Sequence, residues 1–179
     1  SSLITEGCQT FLASEAVIQQ VPVPFSIHVY RVVCRNFIVF AHNLVIVPLG
    51  LMVFRISVGW GLIDVLAGCA VLAVNGVWVG LFLGVLSARF RDIAPIVASL
   101  LQVAFFLTPV FWPIDALGDK RWIAEYNPLF AAIDVIRAPL LGVPVAAYSW
   151  PLLLLATALG CGFTFALFAR FRGRIAYWM

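Results

Sequence analysis

The sequence predicts an all-α integral membrane protein, on three observations. Of its 179 residues, 64% are apolar and 11% charged, against about 45–50% and roughly 25% in a soluble domain. Its mean hydropathy is +1.08. The apolar residues also gather into four stretches near the length that a hydrocarbon core of roughly 30 Å demands, about 20 residues. Such a chain has too few polar residues to cover a water-facing globule and is too apolar for disorder. It is also too poor in Lys and Arg clusters to be a nucleic-acid binder. Backbone polar groups inside lipid must pair within their own segment, so each stretch is expected to be a helix.

The chain opens at Ser1-Ser2 without a Met or a charged lead into an apolar run. It therefore reads as a fragment of a longer protein, with no signal peptide here. Segment 14–24 is a short helix candidate, with Ser14 as N-cap and Glu15 in the first turn, closed by Pro22 and Pro24. It is either a lever on which a soluble motor docks or an ordinary capped loop.

Span A, 36–54, lies between Arg35 and Arg55 and holds His42, Asn43 and Pro48. Asn36, Phe40 and Asn43 share a face. Polar groups at such depth face protein or a water-filled cavity. An interhelical hydrogen bond from His42 or Asn43 is the favoured reading, with a polar strip along a substrate path as the other. Pro48 frees the carbonyl of Leu44, so a kink is expected. Span B, 65–88, carries Gly76, Gly80 and Gly84 in a flat stripe suited to close helix packing. Span D, 150–169, repeats the idea with Ala158, Gly162 and Ala166.

Between B and C, Arg89 and Arg91 are either docking residues or positive-inside anchors, and Asp92 is placed to cap span C, 93–112. Span C ends in an aromatic cluster running from Phe105 to Trp112. Such rings suit the faces of sugars, although Phe in a membrane helix usually meets lipid and Trp at its end usually anchors the interface. The connection 113–149 is too long for a turn. Its second half begins Asn127-Pro128, an N-cap followed by Pro at the first helical position, and stops at Gly142. At 1.5 Å per residue this helix reaches about 21 Å, short of a span. It is read as an interfacial or re-entrant helix on the outer side, against a surface helix that only caps the bundle. Asp134 and Arg137 stand three apart and can pair.

Four spans place Arg31, Arg35, Arg89, Arg91, Arg170, Arg172 and Arg174 on one side with Glu6, Glu15 and Asp92. The positive-inside rule makes that side, with the tail 170–179, cytoplasmic. No Asp, Glu, Lys or Arg lies within any span, which disfavours an ion-coupled carrier. No phosphate loop, H-E-x-x-H, G-x-S-x-G or His–carboxylate pair occurs, so no catalytic or metal residue is assigned. The four scattered cysteines read as small buried hydrophobes. If ATP drives transport here, another chain hydrolyses it.

Several segments in order resemble one family. They are Val21-Pro22-Val23-Pro24 before the run from Arg35 to Asn43, then Ala88-Arg89-Phe90-Arg91-Asp92-Ile93, and Leu107-Thr108-Pro109-Val110-Phe111-Trp112. Asn127-Pro128-Leu129, the run from Ile136 to Gly142, and the tail from Arg172 to Trp178 follow. Over nearly the whole chain these resemble the membrane subunit of bacterial ABC-type polysaccharide exporters for O-antigen, capsule or teichoic acid. The resemblance implies a six-span parent, of which this fragment keeps the last four spans and, in Ser1–Leu12, the end of the second. It implies that 14–24 is the coupling helix, with Glu15, Gln19, Gln20, Arg89, Arg91 and Asp92 toward a nucleotide-binding ATPase subunit. The region 113–149 would be an extracytoplasmic gate using Asn127, Pro128, Asp134 and Arg137. Phe37, Phe40, Asn43, Phe105, Phe106, Phe111 and Trp112 would line the conduit. Two permeases, as a homodimer, would pass a lipid-linked glycan across the inner membrane, with ATP and Mg bound by the partner and no cofactor in this chain. An ABC permease for a drug or lipo-oligosaccharide, and a membrane scaffold or channel component without an ATPase, are the alternatives.

Overall fold

The computed structural model describes residues 1–21, 23–54, 61–109, 122 and 126–178. Among these the regular structure is helical, with no strand. The helices are α1 (Ser2–Gln9), α2 (Glu15–Gln20), α3 (Phe25–Leu44), α4 (Ile46–Phe54), α5 (Gly61–Arg89), α6 (Ile93–Leu107), α7 (Pro128–Leu140), α8 (Ser149–Phe171) and α9 (Ile175–Trp178). Three runs are long and apolar enough to cross a membrane: Phe25–Val53, Gly61–Arg89 and Ser149–Arg174.

Large apolar side chains cover their outer faces. Ile46, Met52 and Val53 are 72–77% exposed, as are Leu159 and Phe163 at 65% and 61%. A water-soluble monomer rarely shows contiguous apolar surface on this scale, whereas lipid is its natural solvent. The chain is an all-α integral membrane protein.

Helix boundaries differ from the sequence expectation at one end of span A. The helix begins at Phe25, after Pro24, and not at Asn36. Arg35 suggested a boundary, but it and Arg31 are carried on helical turns whose other side buries His28, Val29, Val32 and Val33. The 29 residues of Phe25–Val53 reach about 43 Å, well beyond a hydrocarbon core of roughly 30 Å, so charge on the first turns costs little. A break falls at Val45, where Pro48 supplies no N–H for the carbonyl of Leu44. The expected span 93–112 is helical as the 15-residue α6, about 22 Å long. Its aromatic end, with Phe111 and Trp112, lies outside the described residues, as do Arg55 and most of 113–125.

The chain forms two compact units. One comprises 1–43, 73–101 and 159–179, the other 44–72 and 102–158. The first is built on Phe11, Val29, Val33, Val85, Ala88 and Ile175, all buried, with Phe11 edge-on to Phe25 at 5.8 Å. The α5 glycine stripe makes this packing possible. A Cβ at Gly80 would stand 2.9 Å from Val29 Cγ1, and one at Gly84 would stand 3.0 Å from Phe11. Gly7 of α1 meets the backbone of Gly80, at 3.1 Å from the position of its own missing Cβ. Span D departs from its expectation. Gly162 has nothing within 4 Å and Ala158 and Ala166 are exposed, while Gly160 takes the contact, against the indole of Trp78.

The second unit buries Val65, Ala131, Val135, Ile136 and Leu153. Here Gly61 lies under Pro139 and Gly68 under Val135 and Ile136. Helix α7 is therefore packed along one face against α5 and α8.

Candidate functional site

Three groups of residues carry the candidate function, and each is set by its own local packing. The first surrounds α2. Ser14 stands at the N-cap position, but its hydroxyl makes no cap bond. It is buried and instead accepts from Arg31 Nη2 at 3.0 Å, tying the start of α2 to α3. Gln19 Nε2 donates to Glu15 Oε1 at 3.2 Å, a one-turn bond that pairs two of the expected coupling residues. Gln19 and Gln20 are exposed, and Val17 is 46% exposed. On the opposite side Ile18 packs on the core that includes the fully buried Ile175, and α2 touches α9. The short helix thus has a seated apolar side and a free polar side.

Arg89 belongs to the same region. Its guanidinium carbon lies 5.1 Å from the Trp178 ring and 5.2 Å from that of Phe90, while Trp178 leans on Phe171 at 5.7 Å. Arg91 and Asp92 are exposed in the turn that follows. The carbonyl of Asp92 accepts from Ile96 N at 3.3 Å, opening α6.

The second group is the expected conduit. Phe37 is drawn partly into the first unit's core and meets Phe40 edge-on at 6.3 Å; Phe40 and Asn43 are exposed. Phe105 and Phe106, in the second unit, form an edge-on pair at 5.7 Å and are 44% and 70% exposed. Asn36, grouped by spacing with Phe40 and Asn43, is used in packing. It donates to Glu6 and to the carbonyl of Val32, and accepts from Ser2 Oγ at 3.0 Å. Glu6 also pairs with Arg35 at 2.6 Å. A polar bond between helices is thus made by Asn36 to α1, whereas His42 and Asn43, the residues expected to make one, are exposed.

The third group is α7 and its ends. Asn127 Oδ1 accepts from Leu129 N at 2.9 Å, with Pro128 in the first turn. The amide of the same side chain donates to Thr108 Oγ1 at 3.1 Å, so one residue caps α7 and ties it to the end of α6. The other end closes as a Schellman motif, with Val143 N on Ala138 O at 3.0 Å and Gly142 N on Pro139 O at 3.2 Å. Gly142 has φ 70°, the left-handed conformation in which a Cβ is costly. Asp134 does not serve Arg137, as the spacing invited. Its Oδ2 accepts from Ser149 Oγ at 2.6 Å and from Ala146 N at 3.0 Å, clamping the loop that leads into α8. Arg137 is exposed and has a partner of its own.

Sequence reasoning passed over Glu6, Ser149 and Ile175 as site residues and named Thr108 only within a motif. Each acts through a partner remote in the chain, for which periodicity has no signal. Among the described residues, no group of three or more His, Cys, Asp or Glu side chains is placed to hold a metal ion. The profile of the ABC-2 type transporter membrane family matches residues 14–141, more than half of the chain. The chain belongs to the ABC-2 type transporter family. It is an ABC permease subunit, a transport component whose family works with an ATPase partner. No curated protein matches the sequence. The matched region begins at Ser14 and runs through α7 to Leu141, so in this ABC-2 permease it takes in α2, the Arg89–Asp92 turn and all of α7.

Proposed function

We propose that this ABC-2 permease is the membrane subunit of an ATP-driven exporter that moves lipid-linked polysaccharide across the bacterial inner membrane, working as a homodimer with two ATPase subunits. The observation that carries the reading is α2: six residues held on one side by Ile18 and at their start by Arg31, with Gln19 and Gln20 exposed and Glu15 bonded to Gln19. A short helix gripped at its back transmits force into the helices it rests on. Arg89, Arg91 and Asp92 extend that surface. ATP-driven closure of the partner pushes α2, α3 and α5 slide across their glycine contacts, and a path opens for the glycan. ATP and Mg belong to the partner. Exposed Phe40, Phe105 and Phe106 have ring faces that suit sugars, and the sequence assigns Phe37, Asn43, Phe111 and Trp112 to the same role. Helix α7, with Asn127, Pro128, Asp134 and Arg137, gates the far side.

The test is co-expression of the full-length parent with the ATPase encoded beside it, followed by co-purification and glycan export. Gln19→Arg is expected to release the ATPase or uncouple its hydrolysis while the permease still folds. Retained association and export would remove the assignment of α2. Alanine at Phe105 and Phe106 is expected to reduce glycan export. Unchanged glycan export with transport of a drug or lipo-oligosaccharide would favour a permease for a smaller substrate.

A further inference from the structure

The pairing of Glu6 with Arg35 leaves a second cation beside it with a different role. A cavity of about 170 Å³ opens where α1 faces α3, lined by Glu6, Gln9 and Thr10 on one side and Arg31 and Arg35 on the other. A single water needs roughly 10–15 Å³ by this measure, so there is room for a polyatomic group. Arg35 is balanced by Glu6 at 2.6 Å. Arg31 meets no carboxylate among the described residues; its bond there is to the hydroxyl of Ser14. The cavity therefore carries one uncompensated positive charge, on a guanidinium whose five N–H donors exceed what one hydroxyl can accept. Gln9 adds a neutral amide.

Depth on the helix narrows the ligand. With Phe25–Val53 about 43 Å long and the hydrocarbon core roughly 30 Å thick, the first 13 Å or so of α3 stands outside the hydrocarbon. That overhang is about nine residues, which sets Arg31 among the lipid headgroups and Arg35 at their lower edge. Basic pockets between helices at this level take anionic headgroups, and the guanidinium fork fits phosphate oxygens two at a time.

We propose that the α1–α3 cavity binds the phosphate group of an anionic membrane lipid, held chiefly by Arg31. The ligand would bridge α1 and α3, and because the same guanidinium holds Ser14, an occupied site would also fix the start of α2. This site stands on the membrane embedding alone and is independent of what the permease exports.

The test uses the full chain purified in detergent, titrated with phosphatidylglycerol or phosphatidylcholine and read by native mass spectrometry and by Tm. Wild-type protein is expected to retain phosphatidylglycerol about fivefold better than phosphatidylcholine, the scale of one arginine at an anionic surface. Arg31→Gln should abolish the preference, Arg31→Lys should keep part of it, and Arg172→Gln, outside the cavity, should leave it intact. Inorganic phosphate competing the preference away in the wild type further supports a phosphate-selective site. Equal retention of the two lipids by the wild type, or a preference that survives Arg31→Gln, overturns it. A Tm raised by inorganic phosphate while the two lipids act alike overturns the lipid as occupant. If Arg31→Gln does not fold, the wild-type competition and Arg31→Lys decide the matter.

Discussion

Asn127 shows how much one side chain can specify. Its carbonyl caps α7 and its amide reaches Thr108, so the two halves of one group serve two helices. Asn127→Ala is expected to cost about 1–2 kcal/mol, seen as a lower Tm in detergent. Asn127→Asp keeps the acceptor, loses the donor, and should fall between the two. The glycines give a sharper contrast. Gly80→Val drives a side chain into Val29, whose Cγ1 is already 2.9 Å from the nearest possible Cβ, while Gly162→Ala meets nothing within 4 Å. The first should lower the Tm markedly and the second leave it unchanged; equal effects would mean that the α5 stripe is not what seats α1 and α3.

Among elements, what the sequence made legible is whatever a helix decides locally. Asn127-Pro128 and Gly142 bracket α7 because cap and stop chemistry depends on neighbouring residues. The break before Pro48 follows from one missing N–H. Partners across the fold were not legible. Ser14 has the right type for an N-cap yet spends its hydroxyl on Arg31, and Asp134 passes over Arg137 for Ser149. In both cases a buried or clamped geometry offers a bond that sequence spacing cannot reveal. The small-residue stripe of span D misled for the same reason, since a stripe states that a close approach is possible and not that one occurs. The union of α2 with α9 is the element-scale feature with the most at stake. Ile175→Ala empties a fully buried site and is expected to cost about 2–5 kcal/mol. Under the proposed function it should weaken ATPase association even though Glu15 and Gln19 are untouched. Full association with a lowered Tm would confine α9 to a structural role.

For the whole molecule, composition alone announced the solvent. An apolar share of 64% leaves no arrangement with a polar exterior, and the exposed leucines and phenylalanines of α8 are the direct consequence. Leu159, 65% exposed, tests this. Leu159→Arg places a charge near the middle of α8, where insertion costs about 2.5–3.5 kcal/mol. Glycosylation mapping should show reduced insertion of that segment, whereas an unaffected segment would mean that α8 turns this face to protein or water. The conduit was the least legible feature. Phe37, Phe40 and Asn43 fall in one unit and Phe105 and Phe106 in the other, and aromatic residues in an apolar chain look alike whether they meet a sugar or an acyl chain.

The seat of α2 has one more consequence, for how the protein is made. Ile18 leaves the ribosome well before Ile175, a buried member of the core on which Ile18 packs. Until then the short helix waits with its apolar side uncovered. A nascent chain that stalls, or one clipped anywhere between, never completes that side and so never displays a finished α2. Fitness to recruit a partner is thereby made conditional on having synthesised and inserted everything in between, a built-in inspection of the product before assembly.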